Sequence, residues 1–223
     1  MDDNCFLIIT GGNLNQSLIK EFLNQRSIEK IICVDGALSL SNQMNLSIDY
    51  LVGDYDTVSK ELINEYRKRV QAGEIETKIL SFQPEKDETD TQLAISLALQ
   101  LGAKEICLMG ATGTRMDHVL ANIHLLKRPL DEKVDAYILD EHNRIYLKDS
   151  SFQIEKNKVY GHYFSLIPFG DKVKAVTLSG FKYNTESIDF LLGDSLGVSN
   201  ELLLEKGSIT FQDGTFIVIE AKD

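Results

Sequence analysis

The sequence lacks several features that would assign it to a particular protein class. It has no tryptophan and only three cysteines and three prolines among 223 residues. Cys5, Cys33 and Cys107 each stand alone inside an apolar run, which predicts buried, reduced thiols rather than a disulfide framework or a metal site. No apolar run approaches the ~20 residues that span a bilayer, and no basic-then-apolar signal peptide opens the chain. These absences predict a cytoplasmic protein that does not insert into a membrane.

Positive charge is also scarce. The chain has 23 lysines and arginines against 34 aspartates and glutamates, which gives a formal net charge of -11. A protein of this charge is repelled by a nucleic-acid backbone and by an anionic membrane surface, so neither is expected as the main partner. A small anion held through metal ions is still compatible with this charge.

Two common phosphate-binding motifs are missing as well. The sequence contains no GxxxxGK[ST] segment, and no GxGxxG follows the first predicted strand. Any nucleotide must therefore be held in another way.

The first part of the chain alternates short apolar runs with amphipathic stretches. This alternation is typical of βαβ units, which build a parallel sheet covered by helices on both faces. The predicted strands are 5–10, 30–35, 49–54, 78–82, 105–110 and 134–140, and the predicted helices are 17–24, 60–70, 91–101 and 117–127. We therefore predict an α/β domain over residues 1–145.

Residues 146–223 have a different pattern, with short alternating strands such as FQIEK, YFSLIPF and VKAVTLSG. Near the end, SITFQ and TFIVIE flank Asp213-Gly214, which predicts a hairpin with a two-residue turn. We expect a small antiparallel β-sandwich or barrel here, following the α/β domain.

Glycines and carboxylates follow the predicted parallel strands. In an open parallel sheet, ligands bind outside the carboxyl ends of the strands, so these positions are the candidates for a site. They are Gly11-Gly12, Asp35-Gly36, Gly53 to Thr57, Lys86 to Asp90, and Gly110 to Asp117.

The segment GDYDT places Asp54 and Asp56 directly after the third strand. Their side chains lie on the same side if the segment is extended, because side chains alternate along a strand. Two converging carboxylates repel each other unless a divalent cation lies between them or one is protonated, and Mg²⁺ is the natural candidate. An exposed acidic turn is the alternative, but the position after an apolar strand, near similar strand ends, favours the metal.

The loop before the helix at 91–101 has two interpretations. Thr89 and Gln92 have capping-box spacing, and Asp90 suits the positive end of a helix. The Thr89 hydroxyl and the Asp90 carboxylate could therefore both have a purely structural role. The cap does not require Lys86 or Asp87, and Lys86 is placed to meet a phosphate.

A further candidate group precedes the helix at 117–127. Arg115 follows a glycine-containing turn among acids and is a good candidate for a phosphate clamp. Asp117 is a plausible N-cap, and His118 and Asn122 are four residues apart and can share a helix face. A lone histidine is more often a structural hydrogen-bonding group than a catalyst.

Five segments together resemble the thiamine pyrophosphokinase family, whose members convert thiamine to thiamine diphosphate with ATP. The segments are VDGA (34–37), GDYDTV (53–58), EKDETDTQLA (85–94), GATGTRMDHVLANIHLL (110–126) and GVSNE (197–201). The resemblance implies an N-terminal catalytic α/β domain, a C-terminal β-sandwich that binds thiamine, and a homodimer with active sites between subunits. It also implies Mg²⁺ as cofactor and ATP as co-substrate.

The resemblance assigns roles to individual residues. The acids that it implies for organising Mg²⁺ and the triphosphate are Asp54, Asp56, Asp87, Asp90 and Asp117, of which all except Asp90 would be metal ligands. Residues implied to contact the nucleotide are Asp35, Gly36, Lys86, Thr89, His118 and Asn122, with Arg115 in the same cleft. Ser199 and Asn200 would hold the aminopyrimidine of thiamine. Since the chain has no tryptophan, any aromatic stacking on the substrate must come from Phe or Tyr.

The residues alone are also compatible with two other functions. DYDTV also resembles the nucleophile motif of haloacid-dehalogenase phosphatases, in which Asp54 would be phosphorylated and Asp56 would act as acid and base. That motif normally follows the first strand, whereas here it follows the third. A non-enzymatic nucleotide sensor with a β effector domain is the third possibility.

Overall fold

The structure is a computed structural model that describes residues 4–82 and 87–223. The chain divides into two compact units, Met1–Glu141 and His142–Asp223.

The first unit is a parallel sheet with intervening helices, as predicted. Its strands lie in the order β4-β3-β2-β1-β5-β6, and every neighbouring pair is parallel. The elements are β1 (Cys5–Ile9), α1 (Gln16–Gln25), β2 (Lys30–Val34), α2 (Ala37–Gln43), β3 (Tyr50–Gly53), α3 (Lys60–Gln71), β4 (Lys78–Ser81), α4 (Asp90–Gln100), β5 (Glu105–Met109), α5 (Met116–Leu125), α6 (Lys127–Asp131) and β6 (Asp135–Leu139). The central strand β1 is buried along its whole length, which explains its uninterrupted apolar run.

All six predicted strands and all four predicted helices of this unit are confirmed, but two short helices were not predicted. Helix α2 has seven residues and α6 has five. Neither is long enough to show a helical period in the sequence, and α6 contains Pro129, which argues against a helix unless it lies in the first turn.

The second unit is an antiparallel β-sandwich, which confirms the predicted fold class. Its two sheets have the strand orders β7-β13-β9 and β11-β10-β12-β8. The strands are β7 (Asn143–Lys148), β8 (Phe152–Glu155), β9 (Tyr163–Pro168), β10 (Lys172–Ser179), β11 (Thr185–Leu191), β12 (Lys206–Thr210) and β13 (Phe216–Ala221), with a 3-10 turn at Lys156–Lys158. Four fully buried phenylalanines, Phe164, Phe181, Phe190 and Phe216, form much of the core.

The predicted hairpin around Asp213-Gly214 is wrong. Strand β12 pairs with β10 and β8, whereas β13 pairs with β7 and β9, so the two strands belong to different sheets. The backbone N–H of Lys174 donates to Asp213 O at 2.9 Å, and its Nζ lies 2.8 Å from Asp213 Oδ2. Gly214 has a φ of 110° and passes so close to β10 that a Cβ atom would lie 2.6 Å from Lys172 O. The turn therefore leads the chain across the sandwich instead of reversing it within one sheet.

The three cysteines are buried free thiols, as predicted. Burial raises the pKa of Cys5 and Cys33 to about 12, so both are neutral near pH 7 and are poor nucleophiles.

Across residues 4–82 and 87–223, no helix combines the length and the apolar character that crossing a bilayer requires.

Candidate functional site

The loops after β1 and β5 contact each other through backbone groups at the carboxyl ends of the strands. Thr10 Oγ1 and the N–H of Gly12 both donate to Gly110 O, at 2.5 and 2.8 Å, and the N–H of Asn13 donates to Thr112 O at 2.7 Å. A Cβ on Gly12 would lie 2.3 Å from Gly110 O, so this approach requires glycine. The strand-end loops are therefore packed together, as the parallel-sheet argument predicts.

Three carboxylates meet at the ends of the neighbouring strands β2 and β3. One oxygen from each of Asp35, Asp54 and Asp56 lies within 4.8 Å of the others. The strands are in register at Val34 and Val52, and the N–H of Asp35 donates to Val52 O at 3.0 Å. We call these three residues the carboxylate cluster.

The backbone around the carboxylate cluster has an unusual conformation. Asp35 and Tyr55 have φ angles of 41° and 65°, in the left-handed region that non-glycine residues rarely adopt. The N–H of Asp56 donates to Asp54 Oδ1 at 3.1 Å, which tightens the turn between the two acids. Strain at these two positions persists only where the surroundings hold it in place.

Tyr55 supplies one such support. Its side chain points away from the acids into the sheet and is 7% exposed. The hydroxyl contacts two carbonyl oxygens on neighbouring strands, Leu51 O at 3.0 Å and Leu80 O at 2.8 Å. Tyr55 therefore ties the turn that carries Asp54 and Asp56 to both β3 and β4.

The carboxyl group of Asp35 has a pKa above its usual value. Burial raises its pKa, the hydrogen bond from Thr57 opposes this rise, and the charges of Asp90, Asp54 and Asp56 add to it. Thr57 Oγ1 donates to Asp35 Oδ2, while Asp35 Oδ1 is buried and has no hydrogen-bond partner among the described residues. A buried carboxylate oxygen without a partner is costly, so this atom is suited to a bound cation.

The carboxylate cluster fits Mg²⁺ by its donor set. Its three groups offer only oxygen atoms, which are the ligands that hard divalent cations prefer, and mutual repulsion disfavours the cluster without a cation. Asp54 and Asp56, which the sequence predicts as metal ligands, both belong to this cluster. Asp87 and Asp117 do not belong to it, and Asp35, predicted only as a nucleotide contact, takes a place in it.

The N-terminus of α4 confirms half of the predicted capping box. Thr89 Oγ1 accepts from the N–H of Gln92 at 3.2 Å, whereas the Gln92 amide donates to Glu88. Asp90 lies in the first helical turn and is close enough to Asp35 to raise its pKa. Asp87 is exposed, and Lys86 lies outside the described residues.

Arg115 and Asp117 form a two-point ion pair at the start of α5. Arg115 Nη2 lies 2.5 Å from Asp117 Oδ2 and Nε lies 3.3 Å from Oδ1, and this hydrogen bond lowers the pKa of Asp117. The predicted N-cap role of Asp117 is wrong, because the helix begins at Met116 and Asp117 lies inside its first turn. Its carboxylate bonds to the Arg115 guanidinium instead.

His118 and Asn122 differ in environment despite their spacing. His118 is exposed, whereas Asn122 is 8% exposed and donates through Nδ2 to Ala111 O at 2.8 Å. Asn122 therefore fixes the glycine-containing loop onto α5, and only His118 presents its side chain to solvent.

Ser199 and Asn200 occupy a loop of the second unit beside β9. Ser199 has a φ of 57° and donates its N–H to Ser165 Oγ at 2.9 Å. Asn200 is buried, and its Oδ1 accepts from the N–H groups of Tyr183 and Glu201 at 3.0 and 2.9 Å. Its Nδ2 donates to Tyr183 O at 2.8 Å, so most of the amide is used within the loop. Ser199 has the exposed side chain of the two.

Comparison with known proteins relates both units to one family. Residues 21–138 match the thiamin pyrophosphokinase catalytic domain, and residues 150–216 match the thiamin pyrophosphokinase vitamin B1 binding domain. The chain belongs to the thiamine pyrophosphokinase family.

Individual thiamine pyrophosphokinases agree with this assignment. The Bacillus subtilis (strain 168) enzyme is 33% identical over 172 residues, which cover 77% of each chain. The crystal structure of a thiamine pyrophosphokinase from Bacillus subtilis superposes with a TM-score of 0.85 at 28% identity, covering 98% of this chain and 99% of that one. A family member from Enterococcus faecalis gives a TM-score of 0.81 at 29% identity, covering 98% and 99%.

Sequence reasoning missed the part that Thr57 plays in this thiamine pyrophosphokinase family site. The hydroxyl lies at the end of GDYDT, beside the two predicted ligands, but its partner Asp35 is 22 residues away. A hydroxyl next to a strand-end acid was the available signal. Only the pairing of β2 with β3 shows which carboxylate it contacts.

Proposed function

We propose that this protein catalyses the Mg²⁺-dependent transfer of a diphosphate group from ATP to the hydroxyl of thiamine, giving thiamine diphosphate, AMP and a proton. The observation that carries this proposal is the carboxylate cluster at the strand ends of a chain that belongs to the thiamine pyrophosphokinase family. In this reaction the hydroxyl oxygen forms a bond to the β-phosphorus, and the bond from that phosphorus to the α-phosphate oxygen breaks.

We assign Asp35, Asp54 and Asp56 to hold Mg²⁺, with Asp90 adding negative potential beside them. The bound ion would supply positive charge that offsets the charge on the phosphate oxygens. Tyr55 and Thr57 hold the carboxylates in place, so little reorganisation is needed when substrate binds.

Arg115 is assigned to the phosphates. Its pair with Asp117 is exposed on both sides, and such pairs are weak, so the guanidinium can exchange the carboxylate for a phosphate at little cost. We propose that seven further residues form the side of the site that contacts the nucleotide: Gly36, Lys86, Asp87, Thr89, Asp117, His118 and Asn122. Asn122 would act through the loop that it fixes.

For thiamine, we propose Ser199 as a direct contact and Asn200 mainly as the residue that shapes the loop, because its amide is largely used internally. Thiamine is a cation, and a net charge of -11 favours its approach. We also propose a cytoplasmic homodimer with active sites between subunits.

An assay of products tests the function. Purified protein with ATP, Mg²⁺ and thiamine should yield AMP and thiamine diphosphate in equal amounts, and AMP should not form when thiamine is omitted. ATP turnover to ADP, or binding of ATP without turnover, would contradict the proposal. A trapped aspartyl-phosphate on Asp54 would instead support the phosphatase, which family membership does not favour.

The Thr57 hydroxyl provides a second test. Thr57→Val keeps the shape of the side chain but removes its hydrogen bond to Asp35, so both Asp35 oxygens lose their fixed orientation. We expect the Mg²⁺ concentration for half-maximal activity to rise about tenfold, as for other residues that orient metal ligands.

Thr57→Ser is the matched control because it retains the hydroxyl, and it should stay close to the parent protein. Equal Mg²⁺ requirements in the Val and Ser variants would show that the hydroxyl does not orient Asp35.

A further inference from the structure

A second site is suggested by a cavity in the sandwich unit, outside the carboxylate cluster. Its volume is about 460 Å³, within the range of small-molecule pockets. Two lysines and one histidine, Lys156, Lys222 and His162, line it together with a single acid, Glu201. We call it the basic cavity.

The two lysines of the basic cavity differ from most others in this unit. Five lysines of the unit form ion pairs with carboxylates, namely Lys158, Lys172, Lys174, Lys182 and Lys206. In the part of the chain that the structure describes, neither Lys156 nor Lys222 has a carboxylate within 4.0 Å. Two uncompensated cations facing one cavity are unexpected in a protein with a net charge of -11.

The ammonium groups are nevertheless held in position. Lys156 Nζ donates to Leu203 O at 3.1 Å, and Lys222 Nζ lies 4.3 Å from the centroid of the Tyr160 ring. Each contact leaves N–H groups of the ammonium for a further acceptor. Glu201 does not offset them, because it is already paired with Lys182 at 2.6 Å.

The wall of the basic cavity is fixed around the end of strand β13, which Lys222 directly follows. The N–H of Tyr160 donates to the buried Glu220 at 2.6 Å, and the N–H of Lys222 donates to His142 O at 2.9 Å. Gly161 packs so tightly that a Cβ would lie 2.1 Å from Ala221 O. The cavity is therefore formed before any ligand binds.

We infer that the basic cavity binds a small phosphate-bearing molecule, with its phosphoryl group between Lys156 and Lys222 and its apolar body against Leu202 and Leu203. The two ammonium groups supply charge for the anion, and the Tyr160 ring and the two leucines supply apolar surface for the rest of the ligand. The inference does not depend on the proposed catalytic function.

Titration calorimetry on the full chain tests the inference with inorganic diphosphate and AMP as probes. EDTA is present so that the carboxylate cluster, without a cation, repels both anions. We expect saturable binding with a dissociation constant below about 1 mM that weakens as salt is raised. If AMP binds more tightly than diphosphate, the ligand of the basic cavity is a phosphate ester. If diphosphate binds more tightly, the ligand is an inorganic phosphate. Either result supports the site.

The decisive comparison is between two double variants of equal charge. Lys156→Gln with Lys222→Gln should weaken binding about tenfold or more, whereas Lys172→Gln with Lys174→Gln, which removes two lysines already paired with carboxylates, should leave it unchanged. Amide NMR shifts on binding should centre on Gly161 and Leu203.

Three results would overturn the inference: no saturable binding below about 10 mM, equal affinities in the two double variants, or shifts confined to the carboxylate cluster. Circular dichroism of each variant checks that it is folded. Because the test contains no Mg²⁺ and no thiamine, its failure would leave the proposed catalytic function untouched.

Discussion

Asp54→Asn or Asp56→Asn should lower the turnover of thiamine diphosphate formation by about a thousandfold, the effect of removing one group that stabilises charge in a transition state. Each substitution keeps the size of the side chain but removes one negative charge from the carboxylate cluster. The measurement is the rate of AMP release at saturating ATP, thiamine and Mg²⁺. A near-normal rate for either variant would show that these carboxylates do not hold the metal.

Stability separates this effect from misfolding. Burial raises the pKa of Asp35, and the charges of nearby acids, including Asp54 and Asp56, raise it further, so without a cation the ionised Asp35 carboxylate opposes folding. This opposition is complete above the raised pKa, weakens as the pH falls through it, and is absent below the usual pKa of aspartate. In EDTA at neutral pH, both variants should therefore unfold at the same temperature as the parent or higher. Asp194→Asn, which changes an exposed acid of the second unit, is the control and should alter neither rate nor stability.

Arg144→Met should lower the free energy of unfolding by about 3 kcal/mol, because breaking a buried ion pair leaves a charge without its partner. Glu220 is fully buried and accepts from Arg144 Nη2 at 2.7 Å, from Tyr146 Oη at 2.8 Å and from the N–H of Tyr160. Without the guanidinium, one negative charge remains inside the sandwich with only two neutral donors. Urea unfolding monitored by circular dichroism measures the loss.

Two variants control for this result. Changing Glu220 to Leu together with Arg144→Met removes both charges and should recover part of the stability. Lys174→Met breaks the exposed pair with Asp213 and should have no measurable effect. If Arg144→Met were as mild as Lys174→Met, the buried pair would not stabilise the sandwich.

The fold of the first unit followed from its sequence because each buried parallel strand is a nearly continuous apolar run. Strand β1 is an example, with five residues that are all buried. Helix α6 could not be predicted, since five residues with a proline carry no helical period and are stabilised by tertiary contacts. Local sequence patterns also do not give the order of the strands in the sheet.

The error at Asp213-Gly214 has a related cause. A two-residue turn signal reports local backbone preference, whereas the partners of β12 and β13 are set by residues far along the chain, such as Ile154 and Leu147. The signal lies where the chain passes from β12 to β13, but it does not tell which strands these two pair with.

The sequence named two of the three members of the carboxylate cluster as metal ligands, and that role stays a prediction. The rule that ligands bind at strand ends identified Asp54 and Asp56, and it also selected Asp35. The third carboxylate of the cluster is Asp35, not Asp87 or Asp117. Asp35 lies there because β2 and β3 are neighbouring strands and Asp35 adopts a left-handed backbone conformation. Neither fact can be derived from residue spacing.

The contact between the loops after β1 and β5 has a consequence for folding kinetics. Thr10 and Gly110 are 100 residues apart in the chain, and their hydrogen bond is part of the frame that supports the strand ends. Closing so long a loop costs conformational entropy before the contact can stabilise the fold, and contacts between residues far apart in the chain slow folding. During synthesis, the loop after β1 cannot form this contact until β5 and the loop after it have been made. The contact therefore forms only after about half of the protein has been synthesised.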